Sequence, residues 1–378
     1  MKKTSVLFIL FFIFQTQASS QSCLPNGINI NTQEEIDNFS TNYPGCTEIG
    51  GSVLISDQGT NSITNLNGLN VITSINGYLV IGENNSLTSL SGLENLNLIG
   101  GSLEINDNSI LSDLTALNNV TIVGGSITIE SNDTLLNLTG LNNITSVVES
   151  IFIVHNANLT SIDGLENIES IRNYLRISFN SALTNLDGLI SVSSIGDYLF
   201  INHNDSLISL QGLENVTSIN GELRIQFNES LLSLEGIDNI SAASIERLRI
   251  SNNISLSTCE VESICDYIAN PTGMIEIGGN STGCNNEHEI IDACSVGIQR
   301  NTEKIFLIYP NPADKIISIL HNPNSDLDCV NIYNYFGQNV LTQLNSTGTM
   351  DLSKLEQGIY IIEITSSELK TRQKLIIE

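Results

Sequence analysis

The chain of 378 residues carries 14 basic and 41 acidic side chains, a formal net charge of −27, and 40% of its residues are hydrophobic. A field of that sign repels phosphate backbones and anionic head groups, so nucleic acid and acidic membrane surfaces are excluded as partners. The apolar fraction is too high for a disordered acidic chain, and the length exceeds one ordinary compact unit, so two or three folded parts are expected.

Residues 1–20 read as a signal peptide. Lys2 and Lys3 precede the apolar run Val6 to Phe14 and the small polar stretch Ala18-Ser19-Ser20, with cleavage before Gln21. That run is too short to cross a hydrocarbon layer of about 30 Å, and no later segment is long enough, so no transmembrane segment is expected. Export makes the 7 cysteines candidates for disulfides. None falls between Cys46 and Cys259, so the bridges are expected to staple the ends of whatever lies between. Cys23 is assigned to Cys46, across an N-terminal cap at 21–45. Cys259, Cys265, Cys284 and Cys294 allow three pairings, all left open. Cys329 is left over and reads as a buried free thiol.

From Ile75 the sequence repeats every 24 residues: Ile75, Ile99, Val123, Val147, Ile171, Ile195 and Ile219 each open a segment close to I-x-G-x-L-x-I-x-x-N-x-x-L-x-x-L-x-G-L-x-x-I. The first seven positions alternate, as Ile75, Gly77, Leu79 and Ile81 do around Asn76, Tyr78 and Val80, which predicts a strand with one buried face. Leu87, Leu90, Leu93 and Leu96 recur every third residue, which suits tight corners better than a long helix. Gly68, Gly92, Gly140, Gly164, Gly188, Gly212 and Gly236 are expected to hold one corner in a left-handed conformation, with Ala116 the exception. A single unit cannot bury its own apolar face, so the units must stack, each strand pairing with its equivalents above and below. Strand starts at Val53, Leu79, Leu103, Ile127, Ile151, Leu175, Leu199, Leu223, Leu248 and Ile275 give ten coils of a parallel β-solenoid. The repeats proper run over 46–258, and a C-terminal cap containing the last coil and its disulfides covers 259–297.

An asparagine column accompanies the strands: Asn84, Asn108, Asn132, Asn156, Asn180, Asn204, Asn228, Asn253 and Asn280. Asn132, Asn204, Asn228 and Asn253 also head N-x-S/T sequons. The preferred reading is a structural ladder, in which stacked side-chain amides satisfy backbone groups that the corner takes out of register.

Catalysis would need acids gathered on neighbouring coils. The outward column Val80, Glu104, Thr128, Phe152, Arg176, Phe200, Arg224, Arg249 offers one acid, and the next, Gly82, Asn106, Glu130, Val154, Ser178, Asn202, Gln226, Ser251, one more. Glu104 and Glu130 on adjacent coils read as solvated charges rather than an acid/base couple. His155 and His203 share a repeat position two coils apart, too far to bind one metal ion, with Phe179 between them. No cofactor is expected. The basic residues between Cys46 and Cys284 are all arginines, and Arg176, Arg224, Arg247 and Arg249 fall on outward positions of one sheet. Phe152, Tyr174, Tyr198 and Phe200 share that surface, so these eight residues form the candidate ligand-binding stripe, with aromatic faces offered for stacking.

The stretch Cys46-Thr47-Glu48-Ile49-Gly50-Gly51-Ser52-Val53-Leu54-Ile55 followed by Ile75-Asn76-Gly77-Tyr78-Leu79-Val80-Ile81 resembles the receptor L domain, the ligand-binding module of insulin-type and epidermal-growth-factor-type receptors. The likeness extends over about 46–284 and implies a right-handed β-helical relative of leucine-rich repeats. Beyond a linker at 298–305, Ile308-Tyr309-Pro310-Asn311-Pro312, Val330-Asn331-Ile332-Tyr333-Asn334-Tyr335-Phe336-Gly337-Gln338, Leu355-Glu356-Gln357-Gly358-Ile359-Tyr360 and Lys374-Leu375-Ile376-Ile377 resemble the C-terminal sorting domain of the bacterial type IX secretion system. That resemblance covers 306–378 and implies a small β-sandwich, passage across the outer membrane of a Bacteroidetes-type bacterium through the type IX machinery, and release or surface attachment. The sequence therefore predicts an all-β chain, a right-handed parallel solenoid followed by a sandwich. The expected function is non-catalytic binding or adhesion at a glycan or protein ligand, with a polysaccharide-degrading β-helix enzyme as the alternative.

Overall fold

The computed structural model describes residues 22–60, 62–296, 306–309, 313–321, 327–334, 337–344, 349–366 and 369–377. The expected signal peptide 1–20, the linker 298–305 and, within the sorting motifs, Pro310, Asn311, Pro312, Tyr335 and Phe336 lie outside the described residues. The chain divides into two compact units, Met1–Val296 and Gly297–Glu378.

The first unit is built on an 11-stranded parallel sheet that follows chain order from Ile28–Ile30 to Ile275–Gly278. Equivalent positions pair in register: Leu79 with Leu103, Ile151 with Leu175, Leu199 with Leu223. The inward members of each strand merge into one continuous core in which Ile81, Ile105, Ile129, Ile153, Ile177, Ile201 and Ile225 are fully buried. The array begins one coil earlier than the sequence indicates, because Ile28–Ile30, within the segment read as a cap, pairs with Val53–Ile55.

A second correction concerns the seven alternating positions of each repeat, which form two strands rather than one. Ser74–Ile75 belongs to an 8-stranded parallel sheet of two-residue strands, and Leu79–Gly82 to the large sheet. The chain bends between them at Gly77, where a Cβ would approach Ser52 Oγ to 2.3 Å and the Gly51 carbonyl carbon to 2.7 Å. The alternation survives because both strands turn their apolar members to the same core, so periodicity alone does not reveal the corner.

The other glycine corner exists in two forms. Gly92, Gly140, Gly164, Gly212 and Gly236 have positive φ, as expected. Gly68, Ala116 and Gly188 sit instead in 3-10 turns at Asn67–Leu69, Thr115–Leu117 and Asp187–Leu189. The residue two places on anchors the left-handed form. In the left-handed form the glycine N–H donates to a side-chain oxygen of Glu94, Asn142, Glu166, Glu214 or Asp238. In the 3-10 form that place holds Asn70, Asn118 or Ile190. Ala116 is therefore tolerated, since its backbone never enters the left-handed region. Part of the chain's acidity thus has a local structural purpose.

Helices are confined to the ends. Gln33–Asp37 starts with a capping box, Thr32 Oγ1 accepting from the Glu35 N–H at 3.3 Å while Glu35 accepts from the Thr32 N–H at 3.1 Å. Ile36 and Phe39 close the first end of the core. Glu262–Ala269 and Glu287–Val296 cover the other end. Cys23 is bonded to Cys46, and the open choice among the later four resolves to Cys259 with Cys284 and Cys265 with Cys294.

The second unit has two antiparallel sheets. One joins Phe306–Tyr309, Ile316–His321 and Thr349–Asp351; the other joins Asn339–Leu344, Leu327–Tyr333, Gly358–Ser366 and Leu369–Ile377. Ile317, Ile319, Val330, Ile332, Ile362, Ile364 and Leu375 form a shared core between them. Cys329 is free, and it is half-buried rather than buried as expected. Among the described residues, no helix is long and apolar enough to cross a membrane.

Candidate binding face

The asparagine column is a ladder of hydrogen bonds. The backbone N–H of Asn180 donates to Asn204 Oδ1 at 3.2 Å, and the Asn180 Nδ2 donates to the Ile153 carbonyl of the preceding coil at 2.9 Å. The same pair of bonds recurs from Asn84 to Asn253, and Asn280 ends the column on the Ile250 carbonyl. All nine side chains are buried, so the sequons headed by Asn132, Asn204, Asn228 and Asn253 offer no accessible amide in the folded chain. The ladder has a rung that sequence reasoning missed. The Asp57 N–H donates to Asn84 Oδ1 at 3.1 Å, while its carboxylate accepts from the N–H groups of Gly59 and Ile63.

The residue before each ladder asparagine has positive φ, and in all but Gly279 before Asn280 it is not glycine: Glu83, Asp107, Ser131, His155, Phe179, His203, Phe227 and Asn252. This backbone throws the side chain outward beside the sheet, so residues one coil apart lie directly above one another. Four of them form a continuous stack. His155 and Phe179 are 4.4 Å apart between ring centres, Phe179 and His203 4.3 Å, His203 and Phe227 4.6 Å, all nearly parallel. Sequence reasoning considered the two histidines only as metal ligands and did not see the stack. Its signal is there in the 24-residue spacing of 155, 179, 203 and 227. Among the described residues, no group of three or more potential metal ligands is assembled.

The predicted stripe lies on the same face. Phe152, Arg176, Phe200 and Arg224 are successive partners in one column, followed by Arg249. Tyr174 and Tyr198 stack in the adjoining column with centres 5.2 Å apart, and Tyr198 lies 5.4 Å from Phe200. The Arg224 guanidinium sits over Phe200 at 5.8 Å from the ring centre. Phe152 is half-buried and, among the described residues, joins no stack. Arg247 is exposed, with Glu222 as its register partner.

One expectation fails here. The aromatic faces are not open for stacking on a flat ligand, because within each stack they are turned toward one another. The planes lie across the long axis of the array, so a ligand meets ring edges, which carry the positive end of the ring quadrupole.

Short polar links hold the arginines in place. Arg176 Nε donates to Ser178 Oγ at 3.1 Å, and Ser178 Oγ donates to Asn202 Oδ1 at 2.5 Å. Asn202 Nδ2 faces His203 Nδ1 at 3.0 Å. Burial lowers the His203 pKa, with Arg224 and His155 lowering it further and Asp205 opposing. Arg224 Nε donates to Gln226 Oε1, and Gln226 Nε2 donates to Ser251 Oγ. In both arginines the Nε is used internally and the terminal nitrogens remain for a partner. Arg249 differs, lying 3.1 Å from Glu222 and 3.4 Å from Glu276. Among the described residues, Arg176, Arg224 and Arg247 have no ion-pair partner. Asp197 raises the pKa of Tyr174, with burial and Tyr198 acting in the same direction.

A recess of about 740 Å³ lies where Asp238 to Ala243 meets the helix Glu262–Ala269, away from the stripe. Its charged lining groups, Asp238, Glu262 and Asp266, are all acidic.

The fold and this face define an exported-type repeat protein with an extended, open surface. Comparison with protein families agrees at both ends of the description. Residues 45–137 match the family described as Receptor L domain, and residues 307–378 match the Secretion system C-terminal sorting domain. The chain therefore joins a receptor L domain stretch to a type IX sorting domain, which marks a protein that is secreted or carried to the outer surface. No match was found among curated proteins. The L-domain match ends before Phe152, so the aromatic and arginine coils continue the same ladder and register beyond the matched stretch.

Proposed function

We propose that this protein is a non-catalytic secreted or cell-surface binding protein whose ligand, a glycan or a protein, docks on the outward face of the large sheet between Phe152 and Arg249. The observation that carries this reading is the pairing of two ring stacks with arginines whose Nε groups are fixed internally and whose terminal nitrogens have no carboxylate partner. Such a surface is built to hold charge and aromatic bulk in place at some cost to stability, since non-glycine residues occupy left-handed backbone along it. Arginine and tyrosine are also the residues that most often dominate binding energy.

The enzyme alternative would use Glu104 and Glu130. Their register partners are Thr128 and Asn106, so the two carboxylates stand on adjacent coils in different columns, away from the arginines. Incubating the purified chain with a panel of polysaccharides and outer-surface preparations separates the readings. The binding reading expects retention of one of these materials with no new reducing ends or unsaturated products. Product formation that disappears in Glu104→Gln or Glu130→Gln would establish the enzyme instead.

A further inference from the structure

We infer that the partner on this face is a second copy of the same chain, docked antiparallel so that the acidic half of one face lies on the arginine half of the other. This rests on the reading of the face as the binding surface and gives it an occupant. The face is polarised along the array. Its early coils carry Glu83, Glu104, Asp107 and Glu130, and its late coils carry Arg176, Arg224, Arg247 and Arg249, with Glu222 and Glu276 both placed against Arg249. Among the described residues, none of the four carboxylates has an ion-pair partner, and only Arg249 of the arginines does. A long polyanion would be attracted at one end of this face and repelled at the other. A second copy turned end for end sets an acidic end against an arginine end in both halves of the contact.

Symmetry makes the match specific. A two-fold axis parallel to the strands and lying in the contact plane reverses the order of the coils while keeping each column opposite itself. With Glu104 set opposite the second copy's Arg224, the same operation sets Phe152 opposite Arg176 and Thr128 opposite Phe200, and every contact occurs twice. Ring edges then meet a guanidinium and a hydroxyl rather than a flat ligand. The face spans roughly four columns over eight coils, about 15 Å by about 38 Å at the spacings of a β-sheet. That is less than the roughly 800 Å² per partner of a standard stable complex, so the contact is weak and salt-sensitive, and gains strength when many copies are displayed on a surface.

The test is sedimentation velocity of the purified full chain across a concentration series at low and high salt. Wild type is expected to form a dimer that weakens as NaCl rises from about 0.05 to about 0.5 M. Arg224→Glu and Glu104→Arg should each weaken it about tenfold or more, and an equimolar mixture of the two variants should dimerise again, because each then meets its opposite charge. Glu104→Arg also separates this partner from a polyanion, whose binding it would strengthen. A chain that stays monomeric at about 1 mM, single variants that dimerise as wild type does, or a mixture that fails to recover would each overturn the inference. If the chain is monomeric but Arg176→Ser with Arg224→Ser still abolishes binding to another material, only the second-copy inference falls and the binding face stands.

Discussion

Asn180 and Asn204 are joined through a bond in which the backbone of one coil is completed by the side chain of the next: the Asn180 N–H donates to Asn204 Oδ1 at 3.2 Å, and both residues are fully buried. Asn180→Ala leaves the Ile153 carbonyl and the Asn156 N–H without partners. Each buried orphan costs about 1–3 kcal/mol, so the free energy of unfolding should fall by at least an amount in that range, with a lower denaturation midpoint. An unchanged midpoint accompanied by lost ligand binding would make the ladder a recognition device instead.

The ring stack predicts an inverted glycine–alanine order. Phe179 has a φ of 59° and lies between His155 and His203. Phe179→Ala and Phe179→Gly both remove the stack, but only alanine retains the left-handed penalty of about 1–2 kcal/mol. The glycine variant should therefore be the more stable by about 1 kcal/mol in chemical denaturation. Alanine proving the better substitute would mean that the backbone relaxes out of the left-handed region and that the column is less rigid than described.

His203 gives a pH dependence. Its pKa is lowered in the folded chain, chiefly by burial, so as pH falls through the ordinary histidine value near 6.5 the unfolded chain takes up a proton that the folded chain refuses. The stability from this group is complete above that value, declines as pH drops, and levels off once the folded imidazole also protonates. His203→Phe keeps a ring between Phe179 and Phe227 while removing the titration. Melting temperatures at about pH 7.5 and about pH 5.5 should show a smaller acid loss in the variant than in wild type. Equal losses would place the titration elsewhere.

The sorting unit has its own core and forms a compact unit by itself. Removing residues 307–378 should leave the repeats folded, with their three disulfides formed, and hold the protein in the periplasm. Fractionation of cells producing the truncated chain checks this, and its normal appearance outside the cell would show that another segment directs export.

The repeat, the ladder and the sorting motifs were legible in the sequence because each follows from a fixed spacing, and spacing is what stacking conserves. The inward Ile and Leu positions had only one physical use, and the regular spacing of the Asn column favoured a ladder over sequons. Asp57 escaped because it follows the inward Ile55 by two residues where the other rungs follow by three, and because its coil is two residues longer than 24, so the spacing to Asn84 is 27. The corner at Gly77 was hidden since both sides of it face one core. The His155 to Phe227 stack was missed for a different reason. Nothing in the residue types announces a left-handed backbone at Phe179, and only that geometry turns four scattered rings into one column. The same limit applied to Tyr174 and Tyr198, whose positions were legible but whose mutual stacking, and hence the loss of open ring faces, was not.

The central claim, that the face between Phe152 and Arg249 is the working surface, is tested most directly by Arg176→Ser combined with Arg224→Ser. Neither arginine has an ion-pair partner among the described residues, and both hydrogen bonds they lose are with groups at the surface end of the strand. The fold should therefore persist, which circular dichroism and the melting temperature would verify. Binding of the full chain to immobilised copies of itself, to polysaccharides and to cell surfaces should be measured at low and at physiological salt. The account predicts that the variant loses binding at both salt concentrations while remaining folded; binding equal to wild type at both would contradict it.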